Sequence, residues 1–249
     1  MRIVFLGNEY NRLSIGCLLG LGRLSEHNVV VGIHYPEKQG VIRTIRKAKA
    51  AHGWRFVFRR AADFAWARYQ TLLPRKSKRS QNIYSLSEAA HLLELRSFAC
   101  DNINSAKSVE EIRSHHPDLL VVAAFNQILK RQVIGIPRHG AINVHPSALP
   151  RYRGPNPFFW VIHNRERMTG VTVHYIDEGI DSGDIILQKE VRISPGETEA
   201  SLRDKAIPVA ASALLQAVKS IEAGTVRSVP QDEAQATYFG PPPRSASTL

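Results

Sequence analysis

Three side chains stand out for the chemistry they could do together. Asn143 and His145 lie two positions apart in GAINVH (Gly140–His145), an apolar run that reads as a strand. A strand alternates its side chains, so the carboxamide and the imidazole share one face while Val144 takes the other. Pro146 stops the strand, which leaves both polar groups at its carboxyl end, where open α/β sheets bind ligands. The third residue is Asp181, in the acidic loop DEGIDSGD (Asp177–Asp184) after a second strand, Gly170–Ile176. If the two strands run parallel, their carboxyl ends share an edge and Asp181 can reach His145. Such a trio can move a proton and donate to a developing negative charge. Each part also has an ordinary reading, Asn-x-His as a satisfied structural pair and the loop as an acidic turn. A calcium loop is excluded, because the Asp-x-Asp-x-Asp-Gly spacing is absent.

Between the two strands runs SALPRYRGPNPF (Ser147–Phe158), with three prolines, one glycine and two arginines. It is stiff and long enough to wall a pocket. Arg151 and Arg153 suit a phosphate or carboxylate, and Tyr152 or Trp160 suits stacking on a sugar or base. The same arginines could equally be solvated loop residues.

The elements that must position these groups follow from apolar periodicity. Arg2–Gly7 reads as a strand with a turn at Gly7-Asn8, Leu13–Leu24 as a helix and Asn28–Tyr35 as a second strand. This β-α-β opening predicts an α/β fold, a Rossmann-like, mostly parallel sheet with helices on both faces. The dinucleotide fingerprint is not met: Gly7 is alone after the first strand, and Ser25 stands where Gly20 and Gly22 need a third glycine. Ser85-x-x-Glu88 and Ser108-x-x-Glu111 have the form of capping boxes. Further strands are expected at Ser97–Cys100, Asp118–Phe125 and Ile185–Ile193, and helices at Pro157–His163 and Glu199–Ala223. The reading divides the chain into a catalytic domain at 1–195, with a basic helical insertion at about 36–85, and a C-terminal helix and appendage at 196–249. Gly240–Leu249 is expected to be a loose tail.

Composition narrows the class. The 249 residues are 43% hydrophobic, enough for a sizeable core. Cys17 and Cys100 are far apart, which argues against a disulfide framework and a zinc site and for a reducing, cytoplasmic setting. No secretory signal opens the chain, and no stretch reaches the roughly 18 to 20 apolar residues of a membrane span. The net charge of +11 is concentrated: residues 38–79 hold thirteen Lys or Arg against one acid, Asp63. Phe58, Ala61, Ala62, Ala65, Trp66, Tyr69 and Leu72 fall there at helical spacing, with Pro74 and a basic loop, Arg75–Arg79, after them. This segment reads as a helical insertion packed on the domain, or as a helix that contacts an anionic surface such as a membrane or RNA.

The three site motifs together resemble those of the folate-dependent formyltransferase family. The resemblance rests on NVHPSALPRYRG (Asn143–Gly154) and GVTVHYIDEGIDSGDIILQ (Gly170–Gln188), in family order, with 38 positions from Asn143 to Asp181. It covers roughly Asp118–Val191; the first strand and turn also fit, and residues 36–85 fit poorly. It implies a formyltransferase fold, 10-formyltetrahydrofolate as co-substrate, no metal and an amine acceptor, with a homodimer reasonable. In the family pattern Asn143 donates to the formyl oxygen. His145 serves as general base or as a stabilising cation, and Asp181 sets its charge and orientation. The pterin ring is expected between two loops, with Gln127, Ile128 and Leu129 on one side and Ile176, Glu178 and Gly179 on the other.

The resemblance points to three branches. Methionyl-tRNA formyltransferases share Pro-Arg-Tyr-Arg-Gly but carry a further C-terminal domain, for which the sequence beyond Ala236–Gly240 leaves no room. Glycinamide ribonucleotide formyltransferases differ in the loop after His-Pro-Ser. Gly154–Trp160 (GPNPFFW) is most similar to the amino-sugar N-formyltransferases, so a nucleotide-linked amino sugar is the expected acceptor, with Arg151, Tyr152, Arg153 and Trp160 as its binding groups. Other small-molecule amines stay open, as does a non-catalytic module that binds polyanions or membranes through the basic segment.

Overall fold

In a computed structural model of the chain, residues 1–22, 27–35 and 83–243 are described. The basic segment 38–79 and the tail beyond 243 lie outside these residues, and with them the expected helical insertion. The apolar runs form a seven-stranded sheet in the order β3-β2-β1-β4-β5-β6-β7. The strands are β1 (Arg2–Asn8), β2 (Asn28–His34), β3 (Arg96–Ala99), β4 (Leu119–Ala123), β5 (Ala141–His145), β6 (Met168–Tyr175) and β7 (Ile185–Arg192). The first five are mutually parallel. The α/β, mostly parallel sheet expected from sequence is therefore present. The strand order reverses between β1 and β4, the kind of switch point at which such sheets open a ligand crevice.

The edge beyond β5 differs from expectation. β6 pairs antiparallel with β5, and β7 antiparallel with β6. The carboxyl end of β6 therefore lies beside Ile142 rather than His145, since Ile142 pairs with Tyr175 and His145 with Thr172. Asp181 reaches the site instead through the loop after β6.

Among the described residues the helices are α1 (Arg12–Leu21), α2 (Leu86–Leu92), α3 (Ala106–Ser114), α4 (Arg131–Ile134), α5 (Pro157–His163) and α6 (Glu199–Glu222). Ser85 caps α2 by accepting from the Glu88 amide at 3.1 Å, while the Glu88 carboxylate reaches the Tyr84 amide at 3.0 Å. The cap of α3 is Ser105, not Ser108: Ser105 accepts from the Ser108 amide at 3.2 Å. The helix thus starts three residues earlier than the Ser-x-x-Glu pattern suggests, and Glu111 pairs with His115 instead. β1 also continues through Asn8, one residue past the expected turn.

Two apolar cores cover the two faces of the sheet. The larger holds Ile3, Phe5, Val121, Ile142 and Val144, with α1 and α6 packed over them; the smaller holds Val4, Leu6, Leu120, Val122 and Ala141. The helix placed at 196–249 by sequence is part of the same body, because Leu202, Ala206, Ala210, Ala213, Leu214, Ala217, Val218 and Ile221 all enter the larger core. Cys17 and Cys100 are buried free thiols, and burial pushes Cys17 up to about 12. Among the described residues no helix is long and apolar enough to cross a membrane.

The α1–α6 contact depends on missing side chains. A Cβ at Gly16 would fall 2.3 Å from Ile207 Cγ2, and one at Gly20 would fall 2.8 Å from the Ala211 Cβ. Gly16→Val should therefore overpack this interface and cost about 1–3 kcal/mol. A fall in the thermal midpoint by several degrees is expected; an unchanged midpoint would show that the helices do not meet this closely.

Candidate active site

The smaller core runs out along β5. Ala141 belongs to it, and the next two residues on that face are Asn143 and His145, while Ile142 and Val144 point into the larger core. Opposite them on β6 stand His174 and Thr172, which share the face because directly paired residues in a sheet do. The polar face is covered by the loop after β6, residues 176–184. This loop folds back across the strands, so antiparallel β6 still delivers Asp181 to the end of β5.

That loop is built by its own acids. The Asp177 carboxylate accepts from the Gly179 amide at 3.0 Å and from the Ser182 hydroxyl at 2.8 and 3.0 Å. A Cβ at Gly183 would lie 2.0 Å from the Tyr175 carbonyl oxygen, so only glycine permits the close return. Asp184 accepts from Ser228, and Glu178 points outward to Arg131 at 3.9 Å. Asp181 alone of the four acids turns inward. It adopts a left-handed backbone, φ 52°, one of the few such conformations open to Asp.

The largely buried carboxylate lies close to four groups. Oδ1 accepts from Asn143 Nδ2 at 3.2 Å and lies 3.6 Å from His174 Nε2. Oδ2 accepts from the Gly154 amide at 2.9 Å and lies 3.5 Å from His145 Nδ1. Burial alone would raise the Asp181 pKa. The opposing pull of His145, His174 and the Gly154 amide wins and holds it well below the usual carboxylate range. His145 is pushed down, first by its own burial and then by His174, with Asp181 and the Tyr152 carbonyl only partly restoring it. Burial thus favours the neutral imidazole.

The tautomer of His145 follows from its partner. Nε2 sits 2.8 Å from the Tyr152 carbonyl oxygen, an acceptor, so Nε2 carries the hydrogen and Nδ1 is the free basic nitrogen facing the site. Similarly, His174 donates from Nδ1 to the Tyr175 carbonyl at 2.7 Å, which leaves Nε2 to accept from Asn143 Nδ2 at 3.2 Å. His174 was not singled out from the sequence. Its signal was present in the pairing register, which puts it directly opposite Asn143 once β6 is known to be antiparallel.

The loop 147–156 supplies the Tyr152 carbonyl and the Gly154 amide. Ser147 donates to the Arg151 carbonyl at 2.9 Å, and Thr172 on β6 donates to the Ser147 carbonyl at 2.7 Å. Tyr152 takes φ 62° and Gly154 φ 97°. A side chain at Gly154 would collide with the Phe239 carbonyl oxygen at 2.4 Å, so this position demands glycine on both counts.

Three of the four residues expected to bind an acceptor are engaged within the fold. The turn at Tyr152 sends its ring inward, where it stacks on Phe239 with centroids 5.0 Å apart and its hydroxyl donates to Glu166 at 2.6 Å. Arg153 is buried and bound to Gln231 and Glu233. Trp160 packs on Phe239 and donates to the Gly240 carbonyl at 2.9 Å. Arg151 pairs with Glu166, yet its side chain is half exposed.

The expected cofactor-side residues fall on two adjoining loops. Ile176 donates its amide to the Ala141 carbonyl at 2.8 Å and packs in the smaller core with Leu129 and Phe125. Gln127 spends its side chain within the fold, donating to the Asp101 carbonyl at 3.1 Å and accepting from the Ile103 amide at 2.9 Å. Leu129 is buried, whereas Ile128 is 69% exposed on one loop and Ile180 44% on the other. Glu178 and Gly179 are exposed. Among the described residues no group of three His, Cys, Asp or Glu side chains is placed to hold a metal ion.

Comparison with known proteins bears on the fold and the family. The methionyl-tRNA formyltransferase of Alkaliphilus oremlandii is 40% identical over 141 residues, which are 57% of this chain and 46% of that one. The chain thus spans about half the length of the curated relatives it matches. Among solved structures, an N-formyltransferase from Helicobacter canadensis in complex with folinic acid and dTDP-3-aminofucose superposes with a TM-score of 0.64. It is 19% identical, and the match covers 97% of this chain and 71% of that one. Glycinamide ribonucleotide transformylase 1 from Symbiobacterium toebii also gives 0.64 at 19% identity, over 93% and 94% of the two chains. Residues 1–218 match the Formyl transferase family (Formyl_trans_N). With that match over most of its length, the chain belongs to the formyl transferase family.

Proposed function

We propose that the chain transfers a formyl group from 10-formyltetrahydrofolate to a primary amine, with Asn143, His145 and Asp181 at the reacting centre. The observation that carries this reading is the buried cluster at the end of β5. There a carboxamide, an imidazole of defined tautomer and a carboxylate meet within hydrogen-bonding or ion-pair distance. The folate suits the two adjoining loops. Exposed Ile128 and Ile180 offer apolar surface to a flat ring. With the Gln127 side chain committed to the neighbouring 101–103 segment, recognition on that side falls to backbone groups of 127–129. Glu178 and Gly179 line the other side.

When bound, 10-formyltetrahydrofolate supplies the formyl carbon, and tetrahydrofolate is the group that departs. Asn143 donates to the negative charge that develops on the formyl oxygen. Its two amide hydrogens rest on His174 and Asp181, each at the long distance of 3.2 Å, so an anionic acceptor can draw one of them away. His145 accepts at Nδ1 the proton lost by the attacking amine, and Asp181, 3.5 Å from that nitrogen, stabilises the cation so formed. The same proton then neutralises the departing folate nitrogen, so the amine ends as a formamide and no net proton is consumed.

For the acceptor, the amine of a nucleotide-linked amino sugar is the preferred reading. It is supported by the likeness of Gly154–Trp160 and by the ligand of the Helicobacter canadensis neighbour. Arg151, with its half-exposed side chain, is the best placed of the expected groups to meet a phosphate. Formylation of methionyl-tRNA is a second reading, favoured by the 40% identity to an enzyme of that name. The segment 38–79 would then supply an anion-binding surface.

Tetrahydrofolate release should be measured with 10-formyltetrahydrofolate and nucleotide-linked amino sugars, methionyl-tRNA or glycinamide ribonucleotide. Release is expected with the amino sugar. Asn143→Ala should lower kcat by about 10²–10³-fold and His145→Ala by about 10²–10⁴-fold. Undiminished turnover in either variant would remove that residue from the centre.

The pH dependence has a definite sign. His145 titrates below the ordinary histidine range, so a rate that needs its neutral form is level through neutral pH and falls only on the acid side. The Asp181 charge raises the His145 pKa, so Asp181→Asn should move that acid fall to lower pH as well as reduce kcat. A shift to higher pH would contradict the assignment.

A further inference from the structure

We propose that Gln231 is a positioning residue for the reaction, holding the Asp181 backbone and the Arg153 side chain in one fixed relation. The inference rests on the reading of Asp181 as the charge partner of His145.

The segment after α6 crosses back over both site loops. Val229 bridges Ile185 at the end of the acidic loop, with amide-to-carbonyl bonds of 2.8 and 2.9 Å. Further on, the Thr237 amide donates to the Pro150 carbonyl at 3.1 Å, the Arg153 amide to the Thr237 carbonyl at 2.9 Å and the Phe239 amide to the Arg153 carbonyl at 3.0 Å. Gln231 lies between these two attachments, and its carboxamide joins the loops directly. Nε2 donates to the Asp181 carbonyl at 2.9 Å and to the Gly183 carbonyl at 2.8 Å. Oε1 accepts from Arg153 Nε at 3.1 Å and Nη2 at 2.9 Å. Both hydrogens and both lone pairs of the amide are thus in use. Arg153 is anchored from its other side by a two-point pair with Glu233, Nη1 at 3.0 Å and Nη2 at 2.7 Å.

The consequence reaches the reacting groups through three consecutive residues. The Tyr152 carbonyl fixes the His145 tautomer, and the Gly154 amide holds Asp181 Oδ2. Arg153 sits between them, so clamping its guanidinium sets both contacts. Gln231 clamps it to the peptide of Asp181 itself, a residue kept in a left-handed backbone conformation that needs surrounding structure to persist. The chemistry specifies the residue type. A carboxylate cannot donate to two carbonyls, and Lys or Arg cannot accept from Arg153; only a carboxamide does both.

The titration arm of the test needs no acceptor amine. In the full chain, the ring nitrogens and carbons of His145 are titrated by NMR in the unaltered protein, Asp181→Asn, Gln231→Leu and Gln231→Asn, alongside thermal melting. The groups facing His145 are Asp181 from the acidic loop, His174 from β6 and the Tyr152 carbonyl from its own loop. If Gln231 positions Asp181, Gln231→Leu lets the carboxylate withdraw by about an ångström and lowers the His145 pKa by about half a unit. The shift is in the same direction as in Asp181→Asn, and kcat falls with little change in KM. Gln231→Asn keeps the amide but cannot span both loops, so it should give a smaller shift of the same sign; it decides the matter if the Leu variant does not fold. A lowered melting point with an unmoved His145 titration in the folded Gln231 variants would overturn the proposal and leave Asp181 in its role. An unmoved titration in Asp181→Asn would overturn the underlying reading, and this inference with it.

Discussion

Much of this site turns on one largely buried carboxylate, Asp181. Taking a lone carboxylate out of water costs several kcal/mol, and Asp181 is tolerable only because each of its oxygens is matched. The Asn143 carboxamide donates to one oxygen and the Gly154 amide to the other. The same contacts align the side chains that could react. Removing any one would leave a buried charge less well compensated, so the geometry of the cluster and the stability of its loops are linked. In the proposed mechanism this makes the carboxylate a preorganised partner, in place before a cation forms on His145.

The fold delivers this arrangement by economical means. The smaller core ends at Ala141, and the two following positions on that face of β5 become polar just where helix coverage gives way to loops. The antiparallel turn at the edge of the sheet brings His174 opposite Asn143, and an acid-nucleated loop returns Asp181 over both. The 147–156 loop adds two backbone groups whose orientation depends on left-handed residues and on contact with the C-terminal segment. The C-terminal segment is therefore part of the site's frame. Its aromatic contacts, Phe239 on Tyr152 and on Trp160, use the rings that a local reading assigns to a ligand.

How much of this was legible follows from the range of the forces involved. The described strands and most helix ends were readable, because apolar periodicity and caps are local. Asn143 and His145 were readable as a pair for the same reason, and Asp181 joined them through a motif resemblance. The direction of β6 was not, since Gly170–Tyr175 is buried along almost its whole length and a buried strand looks alike in either direction. His174 was missed with it. The fate of Arg153 was unreadable from its neighbourhood: its partners lie 78 and 80 positions away, and nothing in RYRG says that its second arginine turns inward. Ser105 displaced Ser108 as a cap because two overlapping patterns compete there and the sequence alone does not rank them.

The central claim is that Asn143 and Asp181 act as one unit around His145. A double-mutant cycle on kcat tests this most directly, using Asn143→Ala, Asp181→Asn and the double variant with 10-formyltetrahydrofolate and whichever acceptor turns over. The account predicts strong non-additivity, with the double variant little slower than the more damaged single variant, as for groups that work only together. Fully additive losses, each multiplying the other, would show that the two residues act independently and would contradict it.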